Sequence, residues 1–187
     1  DPDGVAAEAK ALGLEHAGCA WAVHKDPFDE AQAREVIEVF QKAGAATKKV
    51  GIKFFYHLHG FEFGKHGDGT LADLLIRGTD PDLVAFQLDV LWVYFPGQDP
   101  TSWLLRYPGR WLSLHLKDLK KGVERGSLAG KTDVRNNVPL GTGQVDWPAV
   151  FAAARKVGVK YYFIEDESPD VLTQIPVTLQ YLGDLKF

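Results

Sequence analysis

The period of apolar and polar positions changes repeatedly along this chain, and each change predicts an element. Val5, Ala6, Ala7, Ala9, Ala11 and Leu12 form an alanine-rich opening helix over Gly4 to Leu12, stopped at Gly13. Glu15 to Val23 reads as a short apolar strand. Asp29 is placed to cap a helix from Glu30 to about Ala46, where Ala33, Val36, Ile37, Phe40 and Ala43 repeat at helical spacing. Ile52 to His59 is a strand, and the glycine-rich segment Gly60 to Gly69, with Lys65, His66 and Asp68, reads as a functional loop. Thr70 can cap a short helix over Leu71 to Ile76. Leu83 to Val90 is nearly continuously apolar, as in a strand buried on both faces. Trp92 to Gln98 reads as a loop, Asp99 with Pro100 opens a helix to about Arg106, and Trp111 to Leu116 is the next strand. The irregular region Lys120 to Asp146 has the length of a lid or binding loop. Asp146 then caps a helix over Trp147 to Val157, Lys160 to Ile164 is the last strand, and a closing helix over Asp170 to Leu185 has to kink or break at Pro176.

This order is a helix followed by five strand–helix units, which argues for a parallel sheet with helical crossovers. Periodicity does not choose between an open doubly wound sheet and a barrel, and both place sites at the carboxyl ends of the strands. With 187 residues, 45% hydrophobic and 25% charged, the chain reads as one soluble domain over residues 1–187, with no apolar run long enough for a membrane span. A net charge of −4 disfavours nucleic acid as a partner. The single Cys19 fits a reducing compartment, so a cytoplasmic location is expected ahead of export. The chain lacks methionine and opens on Asp1-Pro2-Asp3-Gly4 without a signal-peptide pattern, so its start reads as a processing or engineered boundary.

Candidate chemistry collects at strand ends. His57 and His59 share a strand face, and a turn at Gly60 can bring Glu62 back towards them. Asp89, His115 and Glu165 end the three later strands, with Lys117 one alternation beyond His115 as a cation or proton donor. Asp89 alternatively reads as a helix cap and His115 as a satisfied core residue. A mixed oxygen and nitrogen set without thiolate suits one divalent ion, Mn²⁺, Mg²⁺, Co²⁺ or Zn²⁺. Trp92, Tyr94, Phe95 and Trp103 can wall a sugar-sized pocket, and Trp92 with His66 of the glycine-rich loop are the expected substrate contacts. Gly141-Thr142-Gly143 is a weak match to a phosphate loop. His16 reads as structural.

Tyr56-His57-Leu58-His59-Gly60-Phe61-Glu62-Phe63, Thr79-Asp80-Pro81, Leu88-Asp89-Val90, Tyr107-Pro108-Gly109-Arg110, His115-Leu116-Lys117-Asp118, Leu140 to Trp147 and Ile164-Glu165 resemble the bacterial sugar phosphate isomerase/epimerase family, nearly throughout the chain. That family belongs to the xylose-isomerase-like TIM barrels, with inosose dehydratase and tagatose epimerase among its relatives. The resemblance implies a (β/α)₈ barrel holding a divalent ion with a Glu, Asp, His, Glu set at the last four strand ends. Asp89, His115 and Glu165 fall on the second to fourth positions. At the first, either Glu62 or one of the two histidines serves, with Glu62 favoured and His57 and His59 facing substrate. Trp92 stands where the epimerases carry a histidine. Glu15 to Val23 would be the fourth barrel strand, so about three N-terminal strands are absent from this chain. It is expected to be a fragment, to lack a partner piece, or to complete its barrel by association, a homo-oligomer included.

What the resemblance implies chemically is a metal-dependent isomerase or epimerase in carbohydrate metabolism. Glu165 would be the metal-bound base forming an enediolate of a sugar or ketosugar, with His57, His59 and Lys117 as proton shuttles or oxygen binders. The alternatives are a lyase or dehydratase acting on a ketosugar or 3-keto-glycoside, an apurinic endonuclease-like phosphodiesterase, and a non-catalytic sugar-binding protein.

Overall fold

A computed structural model describes residues 1–185. Helix α1 (Pro2–Ala11) starts where the Asp1 carboxylate accepts the Gly4 N–H. Strand β1 covers only His16–Cys19, because Trp21 and His24 leave the sheet and pack on Phe61, with ring centroids 4.9 and 4.0 Å away. Helix α2 (Glu30–Lys49) is capped by Asp29 through the Gln32 N–H and turns Ala33, Val36 and Phe40 to the core. Strand β2 (Lys53–His57) is followed by a hairpin, β3 (Lys65–His66) with β4 (Gly69–Thr70), inside the segment expected as loop. Thr70 and Asp73 form a reciprocal cap on helix α3 (Leu71–Gly78).

Strand β5 (Val84–Asp89) is buried at every residue. Its last carboxylate caps α4 (Val90–Tyr94), a helical turn in another segment expected as loop. Asp99 caps α5 (Pro100–Arg106), and β6 (Trp111–Leu116) follows. The long connection folds back on itself as an antiparallel pair, β7 (Asp118–Leu119) with β8 (Asn137–Val138). Helix α6 (Trp147–Val157) ends at Gly158, whose φ of 79° only glycine adopts freely. After β9 (Tyr161–Ile164), helix α7 (Val171–Asp184) runs through Pro176 without the expected break. Proline removes the N–H that would bond the residue 172 carbonyl, and Leu172 is exposed, so water can serve that carbonyl instead.

The main sheet is parallel in the order β1-β2-β5-β6-β9, which is chain order with helical crossovers. His16 on β1 and Tyr161 on β9 have ring centroids 5.0 Å apart, so the sheet curls until its first and last strands meet across the inner face. This is part of a barrel, as the resemblance implies. Tyr56, Leu58, Phe86, Leu88 and Leu114 pack outwards against the helices and are fully buried. Each such side chain contributes roughly 1.5–3 kcal/mol of burial. The alternate positions face the barrel interior, where the carboxyl ends of β2, β5 and β6 carry the polar residues.

Candidate metal centre and active site

Sheet register assembles the centre. Asp89 on β5 lies directly beside His115 on β6, and His57 on β2 lies beside Gln87, two residues before Asp89 on the same face. Asp89 Oδ2 is therefore 3.8 Å from His57 Nε2 and 3.6 Å from His115 Nδ1, and one ligand atom from each of the three residues lies within 4.8 Å of the others.

The two oxygens of Asp89 divide their work. Oδ1 accepts the Trp92 N–H at 3.0 Å and caps α4, while Oδ2, fully buried, has no hydrogen-bond partner. The cap is thus made by one oxygen, and the other is left free to serve as a ligand. His57 donates from Nδ1 to Gln87 Oε1 at 2.9 Å, and Gln87 is held in that orientation by its own 2.9 Å bond to Ser113 Oγ. That bond leaves the lone pair of His57 on the buried, unpartnered Nε2 facing Asp89. Burial lowers the His57 pKa and favours this neutral form.

His115 Nδ1 bonds Glu165 Oε2 at 3.0 Å. Burial opposes its protonation, but Asp89 and Glu165 outweigh burial and push its pKa up to about 9. The same bond, with Lys117 beside it, holds Glu165 well below the usual carboxylate range. Lys117, only 2% exposed, reaches Glu165 Oε2 at 3.1 Å and Glu167 Oε2 at 2.5 Å, and lies over the Trp92 ring. Burial alone would lower the Lys117 pKa, but Asp89, Glu167 and Glu165 raise it.

His59 sits next to His57 in a box of rings, with centroids of His57, Trp21 and Trp92 at 4.5, 4.7 and 5.9 Å. Burial first and His57 second lower its pKa to about 3, so it is a neutral imidazole. Together with Trp92, Phe55 and residues 130–132 and 134 of the long connection, these groups line a cavity of about 400 Å³, large enough for a sugar.

Two expected site residues lie elsewhere. Glu62 takes no place in the ligand group. It is fully buried, with Oε1 accepting the Tyr56 hydroxyl and Oε2 the His59 N–H at 3.0 Å, and burial pushes its pKa up to about 7. His57, not Glu62, stands in the group with Asp89 and His115. His66 sits on the hairpin 3.5 Å from Glu30, in a recess with Asp68, Arg77 and Arg106 that is separate from the central cavity. The Gly141-Thr142-Gly143 loop holds an internal anion: Asp118 accepts the Gly141, Gly143 and Val145 N–H groups and the Trp147 indole N–H. Gln87, Ser113, Glu167 and Trp21 were not read from the sequence as site residues. Gln87 had a signal, being polar within an apolar strand and in step with Asp89. Trp21 had none, since its segment reads as strand.

A donor set of two imidazoles and a carboxylate, with a buried carboxylate oxygen and a buried imidazole nitrogen both unpartnered, fits a divalent cation. Leaving such an oxygen unpaired costs several kcal/mol, and Mn²⁺, Mg²⁺, Co²⁺ or Zn²⁺ would satisfy it.

Comparison with known proteins identifies the family and the fold. The family model described as Xylose isomerase-like TIM barrel matches residues 5–183. Inosose dehydratase of Clostridium tetani is 29% identical over 137 residues, covering 68% of this chain and 44% of that protein. A crystal structure of a sugar phosphate isomerase/epimerase from Parabacteroides distasonis superposes with a TM-score of 0.78 at 28% identity, covering 97% of this chain and 61% of that one. The IolI protein, whose crystal structure binds a zinc atom, shares the fold at 18% identity with a TM-score of 0.77, covering 98% of this chain and 66% of that one. The chain thus spans from under half to about two thirds of the lengths of these proteins.

Proposed function

The chain belongs to the Xylose isomerase-like TIM barrel family, and on that premise we propose that it carries the metal-holding part of an enzyme that moves a proton beside the carbonyl of a sugar or ketosugar, as an isomerase or epimerase. The observation that carries this reading is the pair of buried, unpartnered atoms His57 Nε2 and Asp89 Oδ2 converging with His115 at a sugar-sized cavity. His57, Asp89 and His115 would hold the ion, with Glu165 as the adjoining fourth group. An ion held there supplies Lewis acidity to adjacent hydroxyl and carbonyl oxygens.

The chain's own groups handle the proton. Glu165 Oε2 takes it from the carbon, and the electron pair left behind spreads onto the carbonyl as an enediolate. At rest Glu165 is bonded by His115 and Lys117 and is a weak base. It would gain basicity as the Lys117 ammonium turns to a substrate oxygen and as His115, in holding the ion, gives up the Nδ1 proton it shares with Glu165. Lys117, held in place by Glu167, is the matching proton donor at oxygen. His59 carries no second ring proton at neutral pH, so its part is a neutral hydrogen bond to a substrate oxygen rather than proton delivery. Return of the proton to the neighbouring carbon gives isomerisation, and return to the opposite face of the same carbon gives epimerisation. Trp92 closes one wall against the sugar face.

A lyase is the second reading, favoured by the match to inosose dehydratase. There the enolate left by the same proton abstraction expels the β-hydroxyl, which leaves as water with a proton from Lys117. Metal analysis of the purified chain and of Asp89→Ala and His115→Ala, followed by deuterium uptake at the α-carbon of candidate ketosugars in D₂O, tests both. Unchanged metal content in both variants overturns the ligand set. Deuterium uptake with a new unsaturated carbonyl product selects the lyase.

A further inference from the structure

Glu62 lies behind the cavity, and the bonds it makes lead into it. Pairing of β2 with its neighbour still serves the Leu58 N–H, which reaches the Gln87 carbonyl at 3.1 Å. One residue further the ladder has ended, and the His59 N–H finds its acceptor in Glu62 Oε2 at 3.0 Å. The other carboxylate oxygen accepts the Tyr56 hydroxyl, which itself accepts the Ala22 N–H at 3.3 Å. Tyr56 and Glu62 are both 0% exposed. A continuous chain of bonds therefore runs from the segment after β1, through Tyr56 and Glu62, to the backbone of His59.

The His59 ring has no comparable anchor of its own. Its Nδ1 is buried without a partner, and ring contacts alone surround it. With no hydrogen bond on the buried side of the ring, the direction of its Cα–Cβ bond decides where the imidazole points, and the backbone bond to Glu62 sets that direction. We infer that Glu62 is a positioning residue, holding His59 beside the metal-binding group by gripping its peptide N–H and the Tyr56 hydroxyl from behind. Two donors meet this side chain on different oxygens, and only a carboxylate offers an acceptor oxygen to each. The glutamine amide has one oxygen, so Glu62→Gln strands one of the two donors. The consequence for turnover rests on the proposed function, whereas the ring position does not.

The test compares wild type, Glu62→Gln and Tyr56→Phe. Zinc affinity is measured by calorimetry. The ¹⁵N resonances of the histidine rings are recorded with and without zinc, with His59→Gln identifying the His59 signals. Ketosugar deuterium exchange is followed on the zinc-loaded protein. In Glu62→Gln we expect zinc affinity to be unchanged, the His59 ring resonances to move while those of His57 and His115 stay, and exchange to slow by on the order of tenfold to a hundredfold in kcat. Tyr56→Phe, which keeps the carboxylate and removes one donor, shifts the same resonances less and serves if Glu62→Gln does not fold. Loss of zinc binding in Glu62→Gln makes Glu62 a ligand and overturns the inference, as do His59 resonances that stay in place in the folded variants. If the wild type neither binds zinc nor exchanges deuterium, the proposed function fails, while the His59 resonances of the metal-free protein still decide the role of Glu62.

Discussion

Strands β5 and β9 have similar sequences and opposite surroundings. Val84-Ala85-Phe86-Gln87-Leu88-Asp89 and Tyr161-Tyr162-Phe163-Ile164-Glu165 are both apolar runs ending in a carboxylate. Yet β5 is buried throughout, while Tyr161, Tyr162 and Phe163 are 36, 39 and 50% exposed. The difference is position: β5 is paired on both sides in the middle of the sheet, and β9 is paired on one side at its edge. The terminal carboxylates follow suit. Asp89 keeps an unpartnered oxygen in a dry setting, whereas Glu165, with its side chain 37% exposed, is already satisfied by His115 and Lys117. A half-exposed edge carboxylate can be neutralised by neighbouring cations and water. A fully buried one with a free oxygen is the better placed of the two to hold a cation.

The sharpest way to break this contrast is Asp89→Ala. It should abolish metal retention in elemental analysis, and Glu165→Ala should weaken retention less; equal losses would erase the distinction between the two carboxylates. Next in size, Leu88→Ala in the central strand should destabilise the fold by about 2–5 kcal/mol in urea denaturation.

On the other side of β5 lies the Tyr56–Glu62 pair, whose signature is a pH dependence of stability. The folded-state pKa of Glu62, about 7, lies above the ordinary 4.5. Its contribution is therefore fully present below pH 4.5 and is lost as pH rises to about 7, by on the order of 3 kcal/mol. Denaturation midpoints measured across that range should fall in wild type and stay flatter in Glu62→Gln. Gln87→Leu frees the His57 ring without touching a ligand, and calorimetry should show metal binding about tenfold to a hundredfold weaker. Smallest of all, Phe163→Ala on the edge strand should cost less than about 1 kcal/mol in the same urea experiment. A cost matching Leu88→Ala would mean that β9 is buried in solution.

Most of the element order was legible because helix caps and strand runs are local signals. Asp29, Thr70, Asp99 and Asp146 each cap the helix their position suggests. The helical turn over Val90–Tyr94 is not legible, since Val90 reads as the end of the strand and Trp92 to Gln98 as a loop; the side chain of Asp89 folding back to the Trp92 N–H caps the turn. In the site, strand alternation was enough to put His57, Asp89, His115, Glu165 and Lys117 at one edge. Glu62 was misplaced because alternation says nothing past the end of a strand, where the chain curls into a short 3₁₀ turn over Phe61–Phe63.

By itself the sequence determined the strand–helix alternation and the strand ends that carry ionisable residues. These depend on residue type and spacing along the chain. Only the tertiary structure decided that His57, rather than His59 or Glu62, stands in the group with Asp89 and His115, that one oxygen of Asp89 caps a helix while the other has no hydrogen bond, and that burial lowers the pKa of His59. Those outcomes rest on register between strands and on how far each group is removed from water, and neither quantity exists until the sheet has formed.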